Sequence, residues 1–453
     1  MSKIRINSFF SIISSKLIMK ISKVLFKGGT NFPGKIALKF DKNILKTVSK
    51  NYKVILVTGT NGKTTTTSMI YNMIKDSNKK VISNNTGANM LTGIIACFIS
   101  NYSFTNKEEK YAVIETDEAN VKLITEHITP EIITITNLFR DQLDRYGEVY
   151  TTLKKILEGI EKVPDSTLIL NGDESLLGDL KDSMENKTLY YGFNDSQSSS
   201  KTIDINADAK FCKKCKAPYK YEFLTYNHLG KYYCDDCNYK RPELDFSVDK
   251  LEDLSSEGSL IIMDGQEYYI NQPGLYNIYN GLCAYSIGKT LGIDKSTIYN
   301  SLKSQKSSFG RQEHINIEGK QVKMILVKNP AGYDQAINTI TLDKNKVNLA
   351  VLLNDNYADG RDVSWIWDVK FESLNSLDLD KVMVSGIRLY DMAIRLKTAG
   401  LPREKFEICE NQDALLKSIK SCSQNTVYVL TTYTAMINLR RFLNSKGYIK
   451  KLW

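Results

Sequence analysis

The sequence predicts an α/β protein built from two doubly wound units, the first of which carries a small cysteine-rich insertion. Three observations predict it. Short apolar runs alternate with helix-compatible stretches from about residue 53 to the C-terminus, the pattern of a parallel sheet covered on both faces. A glycine-containing turn, Thr58 to Thr65, sits between the first apolar run and the first helical stretch. Two Cys-x-x-Cys pairs fall in a Lys- and Tyr-rich segment that interrupts the alternation. The 453 residues allow about three domain-sized units at roughly 150 residues each. With 42% apolar and 25% charged residues and only 8 Pro, the chain is neither disordered nor fibrous.

The net charge of +10 is concentrated at one end. Residues 1–50 hold 11 basic residues against the single acid Asp41, leaving 50 of the 61 basic residues against 50 of the 51 acidic ones. A balanced body argues against a nucleic-acid groove and for an anionic partner of the N-terminal segment. The uncharged run Ile6 to Ser15 is too short to span a bilayer, and no secretory cleavage pattern follows, so a cytoplasmic protein is expected. Phe10, Ile13, Leu17, Ile21 and Val24 recur at helical spacing with Lys16, Lys20, Lys23 and Lys27 between them. Such a helix either lies on an anionic membrane surface or docks through its apolar stripe on its own domain.

From Lys53 the strands are expected at 53–58, 111–115, 131–136 and 166–170, with a helix from about 63 to 75 after the first. Polar Ser196 to Ser200 open the insertion, and the cysteine module covers 211–241. Strand-like residues resume at 259–263, and a helix is expected over 276–291. The second unit is expected after about residue 304. Its strands fall at 322–327, 347–353, 381–385, 406–409 and 426–430, with helices near 390–398 and 434–443.

The segment Thr58-Gly59-Thr60-Asn61-Gly62-Lys63-Thr64-Thr65 is the candidate nucleotide-phosphate loop, because glycines admit close approach of backbone amides, Lys63 reaches terminal phosphates and the Thr64 hydroxyl suits magnesium. Its first glycine falls two positions later than the strict P-loop spacing. Glu115, ending the second strand, is the candidate second magnesium ligand. Its neighbours Asp117 and Glu118 compete for that role, but helix N-capping is the expected part of both. Cys212, Cys215, Cys234 and Cys237 form a two-knuckle zinc pattern with 18 residues between the pairs. Four thiolates fill a tetrahedral Zn²⁺ and leave no open position, which makes the site structural. Cys97, Cys283, Cys409 and Cys422 lie in apolar runs as small core residues. The three histidines, His127, His228 and His314, are too far apart in sequence to propose a cluster. The segment from Leu353 to Asp368 packs Asp355, Asp359, Asp362 and Asp368 with Trp365 and Trp367 into a loop beyond an apolar strand, where parallel sheets carry function; a solvated acidic turn is the plain alternative.

With these residues in hand, the chain resembles the Mur ligase superfamily, and within it the MurT family. Thr58 to Thr65 is similar to the superfamily's phosphate loop, Thr136 to Gly147 to its second signature, Gly274 to Ala284 with Asn277 and Asn280 to its adenine-side helix, and Phe309-Gly310-Arg311 to its hinge arginine. The four-cysteine insertion, Lys328 to Gly332 and Asn354 to Asp368 narrow the resemblance to MurT. It implies a basic N-terminal segment at 1–50, a Mur ligase-like central ATP-binding domain at 51–304 with a zinc ribbon at 208–241, and a smaller Rossmann-like C-terminal domain at 305–453. Two departures stand out. Gln142 replaces the histidine of amino-acid-adding Mur ligases, and only about 50 residues precede the loop where those ligases carry a uridine-binding domain. A lipid-linked substrate is therefore expected in place of a UDP-linked one.

The resemblance implies ATP- and Mg²⁺-dependent amidation of the D-glutamate α-carboxylate in the lipid II stem peptide, through an acyl phosphate, with ammonia from a GatD-like glutaminase partner. It assigns nucleotide binding to Gly59, Thr60, Asn61, Gly62, Lys63, Thr64, Thr65, Glu115, Asn280 and Arg311. Asp362 is assigned to orienting the partner's catalytic histidine. Two other functions fit less well: a stand-alone Mur or folylpolyglutamate-type amino-acid ligase, opposed by Gln142, and a zinc-ribbon nucleic-acid NTPase, opposed by the charge balance.

Overall fold

A computed structural model describes residues 5–25, 31–84, 88–105, 108–140, 149–195, 209–306 and 311–450. Polar Ser196 to Ser200, residue 208, Gln142 with the second signature beyond Arg140, and Phe309-Gly310 lie outside the described residues.

The first sheet is all parallel. It contains β1 (Tyr52–Thr58), β2 (Val81–Ser83), β3 (Lys110–Glu115), β4 (Ile132–Ile135), β5 (Thr167–Asn171), β6 (Thr188–Phe193) and, after the β7 (Lys220–Tyr226) and β8 (Leu229–Tyr233) hairpin, β9 (Phe246–Val248). Their order is β2-β3-β1-β4-β5-β6-β9. Central strands covered on both faces need apolar side chains on both, which is why β1 and β4 read as unbroken apolar runs. One face is covered by α1 (Ile6–Leu25), α2 (Asn31–Phe40), α3 (Ile44–Val48), α5 (Leu91–Asn101), α6 (Val121–Thr125) and α7 (Val149–Ile160). The other is covered by α4 (Lys63–Asp76), α9 (Leu275–Thr290) and α10 (Lys295–Ser304), while the short α8 (Leu180–Ser183) after β5 packs into the core of the first face. A small antiparallel sheet of β10 (Lys250–Leu254), β11 (Ser259–Met263) and β12 (Gln266–Ile270) leads into α9. Helix α9 is buried nearly all round because α4 and the sheet hold it from opposite sides.

The second sheet has the order β13-β14-β18-β15-β16-β17, with strands at Arg311–Ile317, Lys320–Leu326, Thr426–Thr431, Val347–Leu352, Leu379–Ser385 and Phe406–Ile408 respectively. Only β13 runs antiparallel, through its hairpin with β14. Helices α11 (Pro330–Ile340), α12 (Leu389–Thr398), α13 (Gln412–Lys420) and α14 (Tyr433–Ser445) cover both faces, giving two cores. Strand β13 mixes polar and apolar residues instead of forming an apolar run, and for that reason the sequence pattern passes over it.

Helix α1 forms where the spacing places it, but with the opposite face inward. Ser8, Ser11, Ile12 and Ser15 are buried, whereas Phe10, Ile13, Leu17 and Ile21 are exposed. Ser11 Oγ donates to the Ala37 carbonyl at 2.9 Å and Ser15 Oγ to the Pro33 carbonyl at 3.0 Å, so close approach of α2, which large side chains would prevent, decides the face. The side chains of Lys23 and Val24 and all of Lys3 and Lys27 lie outside the described residues.

Close packing also explains Gly34, within α2. A Cβ there would stand 1.8 Å from the Thr92 carbonyl oxygen of α5. Gly34→Ala therefore has helix propensity in its favour by about 1 kcal/mol and a backbone clash against it costing about 1–3 kcal/mol. The expected outcome is a lowered midpoint in denaturant unfolding; an unchanged or raised midpoint would show that α2 is not pressed against α5.

Candidate functional site

The phosphate loop leaves β1 at Thr58 and enters α4 at Lys63. Gly62 has φ +84°, and a Cβ on it would fall 2.2 Å from Asn280 Oδ1, so only glycine lets Asn280 close over the loop. The loop is clasped by the end of β4. Thr60 N–H donates to the Asn137 carbonyl at 2.9 Å, Asn61 N–H to Asn137 Oδ1 at 2.9 Å, and Asn137 Nδ2 back to the Asn61 carbonyl at 3.1 Å. Thr136 Oγ1 adds a bond to the Asn61 carbonyl at 2.7 Å. From α9, Asn280 Oδ1 accepts from Thr66 Oγ1 at 3.1 Å, and Asn280 Nδ2 donates to Asn277 Oδ1 at 3.1 Å.

Lys63 is buried, and its ammonium donates to the Gly59 carbonyl, to the Thr60 carbonyl at 3.2 Å and to Glu118 Oε1 at 2.9 Å. Glu118 is thus the counter-ion of the loop lysine, not a helix cap. Asp117 alone caps, accepting from Ala119 N–H at 3.1 Å. The difference is one of direction, since the short helix after β3 starts at Glu118 and aims that carboxylate back at the loop. Glu115 lies beside Val57 in register and is 5% exposed. Asn84 ties its backbone through bonds of 2.9 and 2.8 Å, and its carboxylate forms no salt bridge among the described residues. Thr64 is half-buried at the first turn of α4. The Thr64 hydroxyl at the start of α4 and the Glu115 carboxylate at the end of β3 are donor types that suit a hard divalent cation.

An open cleft runs from this loop to the second domain. Gly62, Thr65 and Asn280 line one side, Tyr226 and Tyr276 its end, and Gln312, Gly332 and Gln335 the other. Asn329, which N-caps α11 by accepting from Gly332 N–H at 2.8 Å, also donates from Nδ2 to Asn61 Oδ1 at 3.3 Å. The second domain therefore touches the loop directly. Arg311 opens β13, but its side chain lies outside the described residues. Its neighbour Gln312, at φ +58° in a bulge, is turned into the cleft and donates to Tyr276 OH at 2.6 Å.

The four cysteines of the insertion come together, with all Sγ atoms within 4.8 Å of one another, Cys212 and Cys237 at 3.5 Å and Cys215 and Cys234 at 3.4 Å. Tetrahedral Zn–S bonds of about 2.3 Å imply sulfur separations of roughly 3.8 Å, so four thiolates in this arrangement fit one such ion. Burial pushes the Cys212 thiol up, but hydrogen bonds from the backbone of Cys215 and Lys214 outweigh it and bring the group down to about 7. The ribbon is seated on residues 173–179. His228 Nε2 lies 2.8 Å from Glu174 Oε2, Arg241 Nη1 donates to Asp173 Oδ1 at 3.0 Å, and Tyr239 OH donates to the Ser175 carbonyl at 2.6 Å. Sequence reasoning missed these partners, because buried polar groups are recognisable only once their neighbours are known. It also missed Tyr226, which the hairpin delivers to the cleft and stacks on Phe139 at 5.9 Å.

In the loop after β15 the acids separate by environment. Asp355 pairs with Arg388 at 3.0 Å. Buried Asp359 accepts from Thr434 N–H at 2.7 Å and from the Thr434 hydroxyl, fastening the loop to the start of α14. Asp368 approaches Arg140 at 3.8 Å. Asp362 is exposed, and its carboxyl is held below the usual range by Ser364, whose N–H and hydroxyl donate to it at 2.8 and 2.9 Å.

A family model for the Mur ligase middle domain matches residues 57–288, and one for the MurT ligase C-terminal domain matches residues 326–436. The MurT subunit of lipid II isoglutaminyl synthase (glutamine-hydrolyzing) from Streptococcus pneumoniae is 42% identical over 93% of this chain and 94% of that one. The chain belongs to the MurT family of Mur ligases. The corresponding subunit from Staphylococcus aureus is 35% identical over 85% of this chain and 86% of its own length. Among solved structures, a pseudomurein peptide ligase type C from Methanothermus fervidus covers 97% of this MurT-family chain and 98% of its own, with TM-score 0.68 and 20% identity. MurF from Thermotoga maritima, in complex with ADP, covers 90% of this chain and 83% of its own, with TM-score 0.62 and 14% identity. These two share the MurT fold, a Mur ligase-like α/β domain followed by a smaller C-terminal one.

The MurT-family ribbon has only a small core of its own, so a metal held by its four cysteines would add to its stability. Protein purified without chelator should carry about one metal ion per chain by elemental analysis, and Cys234→Ser should lose both the metal and several degrees of Tm. Metal-free protein of unchanged Tm would show that the cysteines do not hold the ribbon.

Proposed function

We propose that this chain is the ATP-using subunit of a lipid II isoglutaminyl synthase, amidating the D-glutamate α-carboxylate of the stem peptide to D-isoglutamine with ammonia from a GatD-type glutaminase. The observation that carries the reading is the cleft lined by the Thr58–Thr65 loop, Asn280 of α9 and Gly332 and Gln335 of the second domain, beside the Asn329–Asn61 bond that joins the two. A nucleotide there would be gripped from both domains. The domain limits proposed are 51–304 for the ATP-binding unit with its ribbon at 208–241, and 305–453 for the C-terminal unit. The ribbon ion is proposed to be Zn²⁺, because four soft thiolates with no open position suit it. Thr64 and Glu115 would hold Mg²⁺, which would supply charge neutralisation to the phosphates. The loop amides of Gly59 to Thr65 and the Lys63 ammonium would bind the β- and γ-phosphates, Asn280 would hold the loop's shape, and Arg311 would meet the nucleotide from the hinge.

A carboxylate is a poor electrophile. Transfer of the γ-phosphoryl group to its oxygen makes an acyl phosphate, and ammonia then attacks the carbonyl carbon, expels phosphate and loses a proton to give the amide. The part of Lys63 is electrostatic, with Glu118 holding its ammonium in place until phosphate competes for it. Asp362 is proposed to act across the subunit boundary, orienting and stabilising the imidazolium of the glutaminase's histidine. Its exposure and ionised state support that role, and the ties of Asp355 and Asp359 within the chain leave those two to hold the loop. A lipid-linked substrate also places the reaction at the inner surface of the plasma membrane, which the basic N-terminal segment would face. A stand-alone amino-acid ligase has no specific observation in its favour.

Lys63→Ala should lower ATP-dependent amidation by about 10²–10³-fold, as loss of a transition-state donor does; near-normal turnover in a coupled ADP assay would remove the nucleotide assignment. Asp362→Asn should lower glutamine-driven amidation by orders of magnitude while high ammonia restores product. If ammonia-driven amidation is lost as well with the complex intact, Asp362 belongs to the ligase site.

A further inference from the structure

Helix α1 is mounted with small polar side chains inward and large apolar ones outward. Ser8 Oγ donates to Asp41 Oδ2 at 2.6 Å, and Ser11 and Ser15 bond to α2, while Ile12 fills the contact between them. On the opposite face Ile6 is 73%, Phe10 56%, Ile13 44% and Leu17 57% exposed, and Ile21 continues the ridge. Phe9 extends it sideways onto exposed Phe104, with ring centroids 5.5 Å apart. From Ile6 to Ile21 the ridge is about 23 Å long. Single exposed apolar residues are ordinary on a protein surface, but a continuous ridge marks an interaction site.

The charges around the ridge say what covers it. Arg5, just ahead of α1, and Lys20, next to Ile21 on it, are exposed, as are Lys35 and Lys39 on α2, Lys42 after it and Lys46 on α3. Lys16 lies against the domain, donating to the Tyr102 carbonyl at 2.6 Å. The sole acid of residues 1–50, Asp41, is already engaged by Ser8 and by the Asn43 N–H. Two copies of the chain meeting ridge to ridge would bring two lysine clusters together, which argues against a homodimer. No helix among the described residues is long and apolar enough to cross a membrane. An apolar ridge on a segment whose exposed charges are almost all cations is the pattern of a helix lying in the plane of an anionic bilayer, its apolar side chains among the acyl chains and its cations at the phosphates.

We infer that α1 is a membrane-surface anchor that seats its ridge of Ile6, Phe10, Ile13, Leu17 and Ile21 in an anionic bilayer and so holds the cleft beside a lipid-linked substrate. The inference deepens the proposed function and rests on it for the substrate, but the helix can be tested without any substrate. Because the ridge makes few contacts with the rest of the chain, Phe10→Glu/Leu17→Glu leaves the inward serine face intact and should not change Tm. The full chain and this variant are sedimented with vesicles of equal parts phosphatidylglycerol and phosphatidylcholine, and with phosphatidylcholine alone, free of nucleotide and precursor.

The expected result is binding of the full chain to the anionic vesicles, weaker binding to the neutral ones, and a loss of at least about tenfold in partitioning for the variant. The variant's turnover of detergent-solubilised precursor, with the glutaminase present, should be unchanged, while turnover of vesicle-embedded precursor falls. Equal sedimentation of variant and full chain, or none by the full chain, would overturn the inference. So would a dimer in gel filtration that the variant splits while vesicle binding stays the same, since the ridge would then be a protein interface. Failure in the vesicle assay with normal detergent turnover would leave the proposed function standing, and absent turnover with normal vesicle binding would do the reverse.

Discussion

The phosphate loop must keep the amides at the start of α4 free for an anion, so everything that holds its shape has to come from elsewhere in the chain. That constraint organises the central domain. The reciprocal bonds between Asn61 and Asn137 come from the neighbouring strand β4, and the lid over Gly62 comes from Asn280, more than two hundred residues away. Lys63 is a buried ammonium. Glu118, at the end of the strand on the other side, supplies the charge that a folded, ligand-free protein requires there. Asn329 then extends the same clasp to the second domain through its bond to Asn61.

The ribbon is joined to that centre by buried polar groups and not merely tethered to it. Asp173 is fully buried, and desolvation pushes its carboxyl up while the Arg241 guanidinium, Tyr279 OH and the Phe193 N–H oppose the shift. Such a group costs little when all its partners are present and several kcal/mol, about 3–5, when one charge partner is removed. The Glu174–His228 contact lies beside it, and Glu174 Oε2 also accepts from Leu138 N–H at 3.1 Å, on the segment that leads from β4. Tyr226 reaches the cleft from the same hairpin. A module whose own core is a few tyrosines and cysteines thus gains its orientation from the domain it is inserted into.

The loop between β15 and β16 shows how one residue type takes several roles. Asp355 and Asp359 close the loop on Arg388 and Thr434, inside the chain. Asp362, three positions on from Asp359, has only its own turn to bond and keeps an oxygen edge toward solvent. A carboxylate kept ionised by local donors, on a loop fastened at both ends, is preorganised to accept a bond from outside the chain.

Much was legible from the sequence because it depends on neighbours in sequence. Apolar runs mark β1, β4, β5, β15 and β18, since strands buried on both faces can hold little else. The glycines and lysine of the loop and the two Cys-x-x-Cys knuckles are local geometries, and their residues announce them. Tertiary structure decided what depends on distant partners. Glu118 reads as a helix cap until Lys63, 55 residues away, is placed beside it. His228, Glu174, Asp173 and Arg241 are unremarkable polar residues until the hairpin folds back onto β5. The periodicity of α1 establishes an amphipathic helix but not which face turns inward. That choice fell to the distance between α1 and α2, where only serine hydroxyls fit against the carbonyls of Pro33 and Ala37, leaving the apolar stripe outside.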